Sequence, residues 1–231
     1  MAHAHLTNDS SSPSRGGGGV LFSFQGLAGF TMGGLVAIVA TLAAGLYGEG
    51  WAVIALRAAG FVACGALGGA ALGMGLRPGA WKGGALGFAL GFLIPALLEG
   101  PLLNDLLALE AVQREPTSLM TTCFLFALGY GVAAALGASF LDGRFALAVG
   151  VRFAAAAAFG GLVAGAGPLL AGDPSGFNAA NVLAGLAAVV VGHMIACALG
   201  GWLAGLAIEG DLKARATPHP RRSRKTVQDA A

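Results

Sequence analysis

The sequence contains very little charge: lysine, arginine, aspartate and glutamate together make up 10% of its 231 residues. More than half of the residues are apolar. This composition excludes an ordinary soluble domain and predicts an all-α integral membrane protein. We expect the lipid bilayer to surround the chain, and we expect no nucleic-acid partner.

Residues that would support catalysis or metal binding are also scarce. The three cysteines, Cys64, Cys123 and Cys197, lie in different hydrophobic stretches and form no Cys-x-x-Cys motif. This spacing predicts neither a disulfide framework nor a metal site. The sequence has no Walker motif, no paired Asn-Pro-Ala motif and no acidic metal-binding cluster. We therefore expect no enzyme activity, no catalytic residue, no cofactor and no metal.

Six hydrophobic stretches have about the 20 residues that a membrane-spanning helix requires. They are residues 21–47, 51–76, 81–98, 119–141, 145–171 and 177–208. The predicted organisation is a disordered cytoplasmic N-terminus (1–20), three helices (21–98), an external amphipathic linker (99–118), three more helices (119–208) and a basic cytoplasmic tail (209–231).

The distribution of lysine and arginine predicts the orientation, because cytoplasmic loops carry an excess of these residues. Arg77, Lys82 and Arg144 lie in alternate connections, on the same side as the basic tail. The opposite side receives acidic residues such as Glu49 and Glu99. We therefore predict that both termini are cytoplasmic, in a multi-pass protein of the cell (cytoplasmic) membrane.

The second half of the sequence resembles the first. Residues 24–76 align without gaps on residues 119–171, with eleven identities in 53 positions, and Arg57 is then paired with Arg152. The third stretches align if one residue is inserted. Because each half contains an odd number of spans, the halves insert with opposite orientation, which predicts a 3+3 inverted repeat as in many transporters.

Arg57 and Arg152 are the first candidates for a functional site, because arginine is rare inside membrane spans. Two interpretations remain open. Their long side chains can reach the interface, or pair with backbone carbonyls or a nearby carboxylate. Alternatively, the two guanidinium groups bind an anionic substrate, since guanidinium binds carboxylate or phosphate in a bidentate manner.

His193 and Asn181 are the other candidates, both in the last hydrophobic stretch. His193 lies near its middle, where it either donates a hydrogen bond to a backbone carbonyl or serves as a proton relay or ligand. Asn181 either caps the helix or lines an outer vestibule. One helix over 177–208 would measure about 48 Å, more than the roughly 30 Å hydrocarbon core, so it must tilt, protrude or begin irregularly.

Glycines spaced four residues apart mark five of the six stretches. Such stripes let helix backbones approach closely in lipid, where no hydrophobic force drives helix association. They predict either seams within one compact bundle or contacts with a second copy or a membrane-protein partner.

Two functions are consistent with these features. The first is a small inner-membrane transporter or channel-like permease for an anionic solute, with Arg57, Arg152, His193 and Asn181 near its pathway. The second is a non-catalytic membrane subunit that scaffolds or assembles a larger complex.

Overall fold

The computed structural model describes residues 21–46, 50–98, 116–171 and 179–216, and the regular structure of these residues is entirely helical. The helices are α1 (Phe22–Leu46), α2 (Trp51–Met74), α3 (Ala80–Gly91), α4 (Pro116–Leu141), α5 (Ala146–Gly165), α6 (Gly167–Ala171) and α7 (Ala179–Ala216). A turn at Phe92 follows α3, and the chain is helical again from 93 to 98.

Six helical segments in the described residues are long and apolar enough to cross a membrane. They are α1, α2, α3 with its continuation to Leu98, α4, α5 and α7. The prediction of an all-helical protein with six helices long and apolar enough to span a membrane is confirmed for the described residues. The predicted N-terminal segment, most of the linker at 99–118 and the end of the basic tail lie outside the described residues.

The main packing contacts connect the six long helices in a closed ring. α1 packs on α2, α2 on α3, α3 on α4, α4 on α5 and α5 on α7, and α7 returns to pack on α1. Neighbouring helices run antiparallel: Gly26 of α1 lies beside Gly201 of α7, and Phe22 lies beside Gly205. The short helix α6 packs on α7.

Glycine makes this close packing possible. A methyl group on Gly26 would lie 2.1 Å from the carbonyl oxygen of Gly201, and one on Gly69 would lie 2.2 Å from that of Gly84. A methyl on Gly160 would lie 2.4 Å from the carbonyl oxygen of Gly192. Side chains are excluded at these crossings, so these glycine seams close within the chain.

Aromatic side chains fill the centre of the ring. Phe30 contacts Phe88 and Phe153 edge to face, with ring centroids 5.3 and 5.1 Å apart. Phe92 lies against Phe30 at 5.6 Å and against Phe153 at 6.0 Å. All four rings are fully buried. Rings at these separations gain energy beyond their burial, and we refer to Phe30, Phe88, Phe92 and Phe153 as the aromatic plug.

The buried positions of the first helices recur 96 residues later. On α2 the first eight buried residues, from Val53 to Gly69, each have a buried counterpart on α5, from Val149 to Gly165. The same offset relates five buried residues of α1, from Gly26 to Ala37, to buried residues of α4. The gapless alignment uses an offset of 95, which pairs only three of these eight α2 residues with buried positions on α5.

In the third spans the burial patterns match at a different offset from the one that the sequence alignment uses. Buried residues of α3 and its continuation recur on α7 about 105 residues later, so Phe88 corresponds to His193 and Phe92 to Cys197. With the predicted single-residue insertion, Phe88 would correspond to Ala184, which is exposed. The burial patterns of the third spans therefore match at an offset about nine residues larger than the one that the sequence alignment uses.

Charged residues of the described part concentrate at one end of the bundle. Apart from Arg57 and Arg152, all of them lie where α2, α4 and α7 end and α3 and α5 begin. We call this end the basic rim. Its residues are Arg77, Lys82, Asp142, Arg144, Glu209, Asp211, Lys213 and Arg215.

Helix α7 is continuous over 38 residues and is about 57 Å long at 1.5 Å per residue. The helix continues past Ile208 into a charged end that includes Glu209 and Arg215. The three outcomes expected for the last span stay open. The carboxylate of Glu209 accepts hydrogen bonds from the backbone N–H of Ser23 at 2.8 Å and from its hydroxyl at 2.9 Å. Because Ser23 lies in the first turn of α1, this contact satisfies a helix N-terminus.

Candidate functional site

A cavity of about 310 Å³ lies between α1, α2 and α7. Its wall comes from the second half of α1, the first half of α2 and the first half of α7, so it occupies the part of the bundle farther from the basic rim. Most lining side chains are apolar. Those used below are Ile38, Leu42, Phe61, Leu186, Val189 and Val190.

Arg57 supplies the charge of this cavity. It is the seventh residue of α2, about 9 Å along the helix from Trp51, and only 9% of its surface is exposed. Its side chain therefore faces the bundle interior and lines the cavity instead of extending to the surface. A guanidinium group has five N–H donors in a fixed planar arrangement that matches a carboxylate.

His193 lines the same cavity from α7 and is also 9% exposed. Its Nδ1–H donates a hydrogen bond to the carbonyl oxygen of Val189 at 3.0 Å, which agrees with the first of the two predicted roles. In a neutral imidazole this leaves Nε2 as an acceptor. The ring is held by Phe126, with centroids 4.9 Å apart, and by Phe61 at 6.2 Å.

Tyr130 connects the cavity to the aromatic plug. Its ring lines the cavity and stacks on Phe153, with ring planes 7° apart and centroids 6.2 Å apart. It also contacts Phe92 edge to face at 5.6 Å. Sequence reasoning did not single out Tyr130, because a tyrosine in a hydrophobic span gives no signal by itself.

Two cysteines meet at the edge of the cavity. The Sγ atoms of Cys64 on α2 and Cys197 on α7 are 3.8 Å apart, and Cys197 lines the cavity. Their spacing in the sequence predicted neither a disulfide framework nor a metal site. Their contact was not predictable from spacing, because α2 and α7 are distant in the chain.

Arg152 and Asn181 lie elsewhere. Arg152 is exposed on the outer face of α5, and Asn181 is exposed on the first turn of α7. The structure therefore brings Arg57 and His193 together and leaves Arg152 and Asn181 outside their cavity. Asn181 lies inside α7 and not at its N-cap, since the helix begins at Ala179.

Metal ligands do not cluster in the part of the chain that the structure describes: no three His, Cys, Asp or Glu side chains are grouped there. At the basic rim, Asp142 pairs with Arg144, whose Nε donates to the two carboxylate oxygens at 2.8 and 3.0 Å. The side-chain and backbone hydrogen bonds from Arg144 lower the pKa of Asp142 to about 2. This pair is solvent-exposed and distant from the cavity.

Comparison of the chain with protein-family models, with curated proteins and with solved structures found no match.

Proposed function

We propose that the chain is a small, non-enzymatic permease of the cell membrane that binds an anionic solute in the cavity between α1, α2 and α7. The observation that carries this proposal is the placement of Arg57, a buried guanidinium on the wall of an otherwise largely apolar cavity. A charged side chain at the centre of a spanning helix costs about 2.5–3.5 kcal/mol on insertion scales, and less towards the end, where Arg57 lies as the seventh residue of α2. Such a residue is a functional candidate by default.

The wall of the cavity favours a particular kind of anion. Arg57 provides the charged contact, and Ile38, Phe61 and Val190 provide apolar surface around it. Its volume is near the lower end of known ligand pockets. A small carboxylate with an apolar tail or ring satisfies both parts of the wall, because its head pairs with guanidinium and its body displaces water from apolar side chains.

The burial offsets support an inverted repeat of two groups of three helices. With an offset of 96 for α2 and α5, Arg57 corresponds to Phe153, and with 105 for the third spans His193 corresponds to Phe88. Phe126, which packs on His193, corresponds to Phe30. In this arrangement Phe30, Phe88 and Phe153 pack together on the side of the bundle nearer the basic rim. On the opposite side, Phe126, His193 and Arg57 occupy the corresponding positions, and the cavity lies there.

The distribution of charge supports an orientation. Five of the eight residues at the basic rim are cations, which favours the cytoplasmic side for this rim. In this proposal the start of α1 and the end of α7 both face the cytoplasm. The cavity then belongs to the outer half of the bundle, and the aromatic plug lies between the cavity and the cytoplasm. Transport in this proposal requires the plug around Phe30 and Phe153 to separate.

A ligand-stabilisation screen tests the proposal. The purified chain is heated with benzoate, hexanoate, acetate or phosphate, and each carboxylate is paired with its neutral amide. We expect benzoate and hexanoate to raise the melting temperature, acetate and phosphate to raise it less, and the amides to have no effect. Equal stabilisation by carboxylates and amides would contradict a charged contact in the cavity.

The second candidate function, a non-catalytic subunit of a larger membrane complex, has one specific observation in its favour. The outer surface between α4 and α5 carries an apolar groove of about 370 Å³, lined by small residues such as Gly131 and Ala154 together with larger ones such as Phe124, Leu128 and Leu147. Small-residue surfaces are typical of helix–helix contacts in membranes. Intact-complex mass measurement after mild detergent extraction separates the two functions, because a stoichiometric foreign partner favours the subunit and recovery alone favours the permease.

A further inference from the structure

The thiols of Cys64 and Cys197 face each other across the interior of the bundle. Their Sγ atoms are 3.8 Å apart, and both residues are buried. They belong to α2 and α7, the two helices on either side of α1.

Two consecutive glycines of α1 leave room for this contact. A methyl on Gly33 would lie 2.6 Å from the Cα of Cys64, and a methyl on Gly34 would lie 3.3 Å from the Sγ of Cys197. With any larger residue at Gly33, α2 could not approach α1 as closely. Helix α1 thus brings α2 and α7 near each other without placing a side chain between the two sulfur atoms.

We propose that Cys64 and Cys197 form a redox-active dithiol that a membrane-soluble quinone converts to an intramolecular disulfide between α2 and α7. Each thiol loses one proton and one electron, and a bond forms between the two sulfur atoms. The quinone accepts both electrons and both protons and becomes a hydroquinone. The balance requires no other reactant.

The surroundings of the thiols favour a quinone as the oxidant. Both sulfur atoms are buried, and Cys197 lines a cavity with largely apolar walls, so an apolar oxidant matches the surface next to the thiol. Thiol oxidation depends on access as well as on the thiol itself. The third cysteine, Cys123, has a different environment, because its thiol donates to the carbonyl oxygen of Ala158 at 3.3 Å.

This inference does not depend on the proposed anion transport, since it requires only that an apolar oxidant reaches Cys197. The test uses the full chain, reduced and reconstituted in lipid nanodiscs, with tetramethyl-1,4-benzoquinone in excess. Every ring position of this quinone is substituted, which suppresses its addition to thiols. Titratable thiols, intact mass and peptide cross-links are then measured.

We expect titratable thiols to fall from three to one and the chain to become lighter by two hydrogen atoms. A proteolytic digest should contain one reducible pair of peptides, with Cys64 in one and Cys197 in the other. The Cys123→Ala variant should lose both of its thiols, whereas Cys64→Ala should keep both.

Persistence of both thiols in the presence of the quinone would overturn the proposal, and so would a cross-link through Cys123 or between two copies of the chain. The first readout uses the unmodified protein, so a folding defect in a variant does not affect it. Quinone oxidation without any carboxylate binding would refute the proposed permease but support the proposed dithiol. Carboxylate binding without quinone oxidation would refute the dithiol but support the permease.

Discussion

Arg57 on α2 and Phe153 on α5 are both buried and stand 96 residues apart, at matching positions in the burial patterns of their helices. Phe153 packs into the aromatic plug, whereas Arg57 lines a cavity. Phe153 contributes an aromatic ring to the core, whereas Arg57 brings a charged group to the wall of a largely apolar cavity. This difference is the basis of the predictions about the cavity.

Replacing His193 with phenylalanine should give the cavity side of the bundle an aromatic packing like that of the aromatic plug. The variant loses the hydrogen bond to Val189, worth about 1 kcal/mol, and gains buried apolar surface of similar value. We expect stability within about 1 kcal/mol of the native protein, with weaker binding of any carboxylate, as measured by thermal unfolding with and without benzoate. Loss of the folded state would show instead that the imidazole is required for structure.

Gly26→Ala should destabilise the bundle severely. Its new methyl group would meet the carbonyl oxygen of Gly201 at 2.1 Å, so α1 and α7 must move apart. Overpacking of this kind costs about 1–3 kcal/mol, or more where the obstacle is backbone. The matched control is Gly210→Ala, which meets nothing within 4 Å and should be neutral or stabilising by up to about 1 kcal/mol. Equal melting temperatures for the two variants would contradict the close crossing of α1 and α7.

Glu209→Ala should loosen the contact between α7 and the start of α1. The carboxylate accepts two hydrogen bonds from Ser23, so we expect a loss of about 1–2 kcal/mol, as for removal of a helix cap. Asp211→Ala is the control, because Asp211 pairs with Arg215 on the exposed surface of the same helix and should cost less than about 1 kcal/mol. A larger loss from Asp211→Ala would contradict the assignment.

Arg144→Ala should raise the pKa of Asp142 from about 2 towards its ordinary value of 3.8. The pKa of Asp142 is lower in the folded state than its ordinary value of 3.8, so the pair stabilises the protein at pH values above 3.8. This contribution is lost as the pH falls towards 2. Melting temperatures measured from pH 5 downwards should therefore decline less steeply in the variant. The difference should be small, since both side chains are exposed, and a steeper decline would contradict the pairing.

The number and approximate limits of the spans could be predicted from the sequence, because the thickness of the bilayer fixes the length of an apolar helix. The second stretch was expected at 51–76 and the helix covers Trp51–Met74. Which side of each helix is buried was harder to predict. Alanine and glycine occupy both buried and exposed positions, so the sequence does not distinguish an offset of 95 from one of 96. The offset of 95 pairs Arg57, which is buried, with Arg152, which is exposed.

The cavity itself was only partly predictable. Arg57 and His193 could be found because charged and titratable residues are rare in membrane spans. Their meeting in one cavity depends on α7 closing the ring against α1, which no local pattern encodes. For the same reason the contact of Cys64 with Cys197 was not foreseen: it depends on two helices separated by more than a hundred residues.

The most direct test of the anion site is a calorimetric titration of benzoate into the native protein and into Arg57→Leu and Arg152→Leu. Leucine removes a buried charge in the first variant and an exposed one in the second, so both should fold. A hydrogen bond to a charged group contributes about 1.5–3 kcal/mol, so we expect Arg57→Leu to weaken binding at least about tenfold and Arg152→Leu to leave it within about twofold. Equal affinities for Arg57→Leu and the native protein would contradict the assignment of this cavity to an anion.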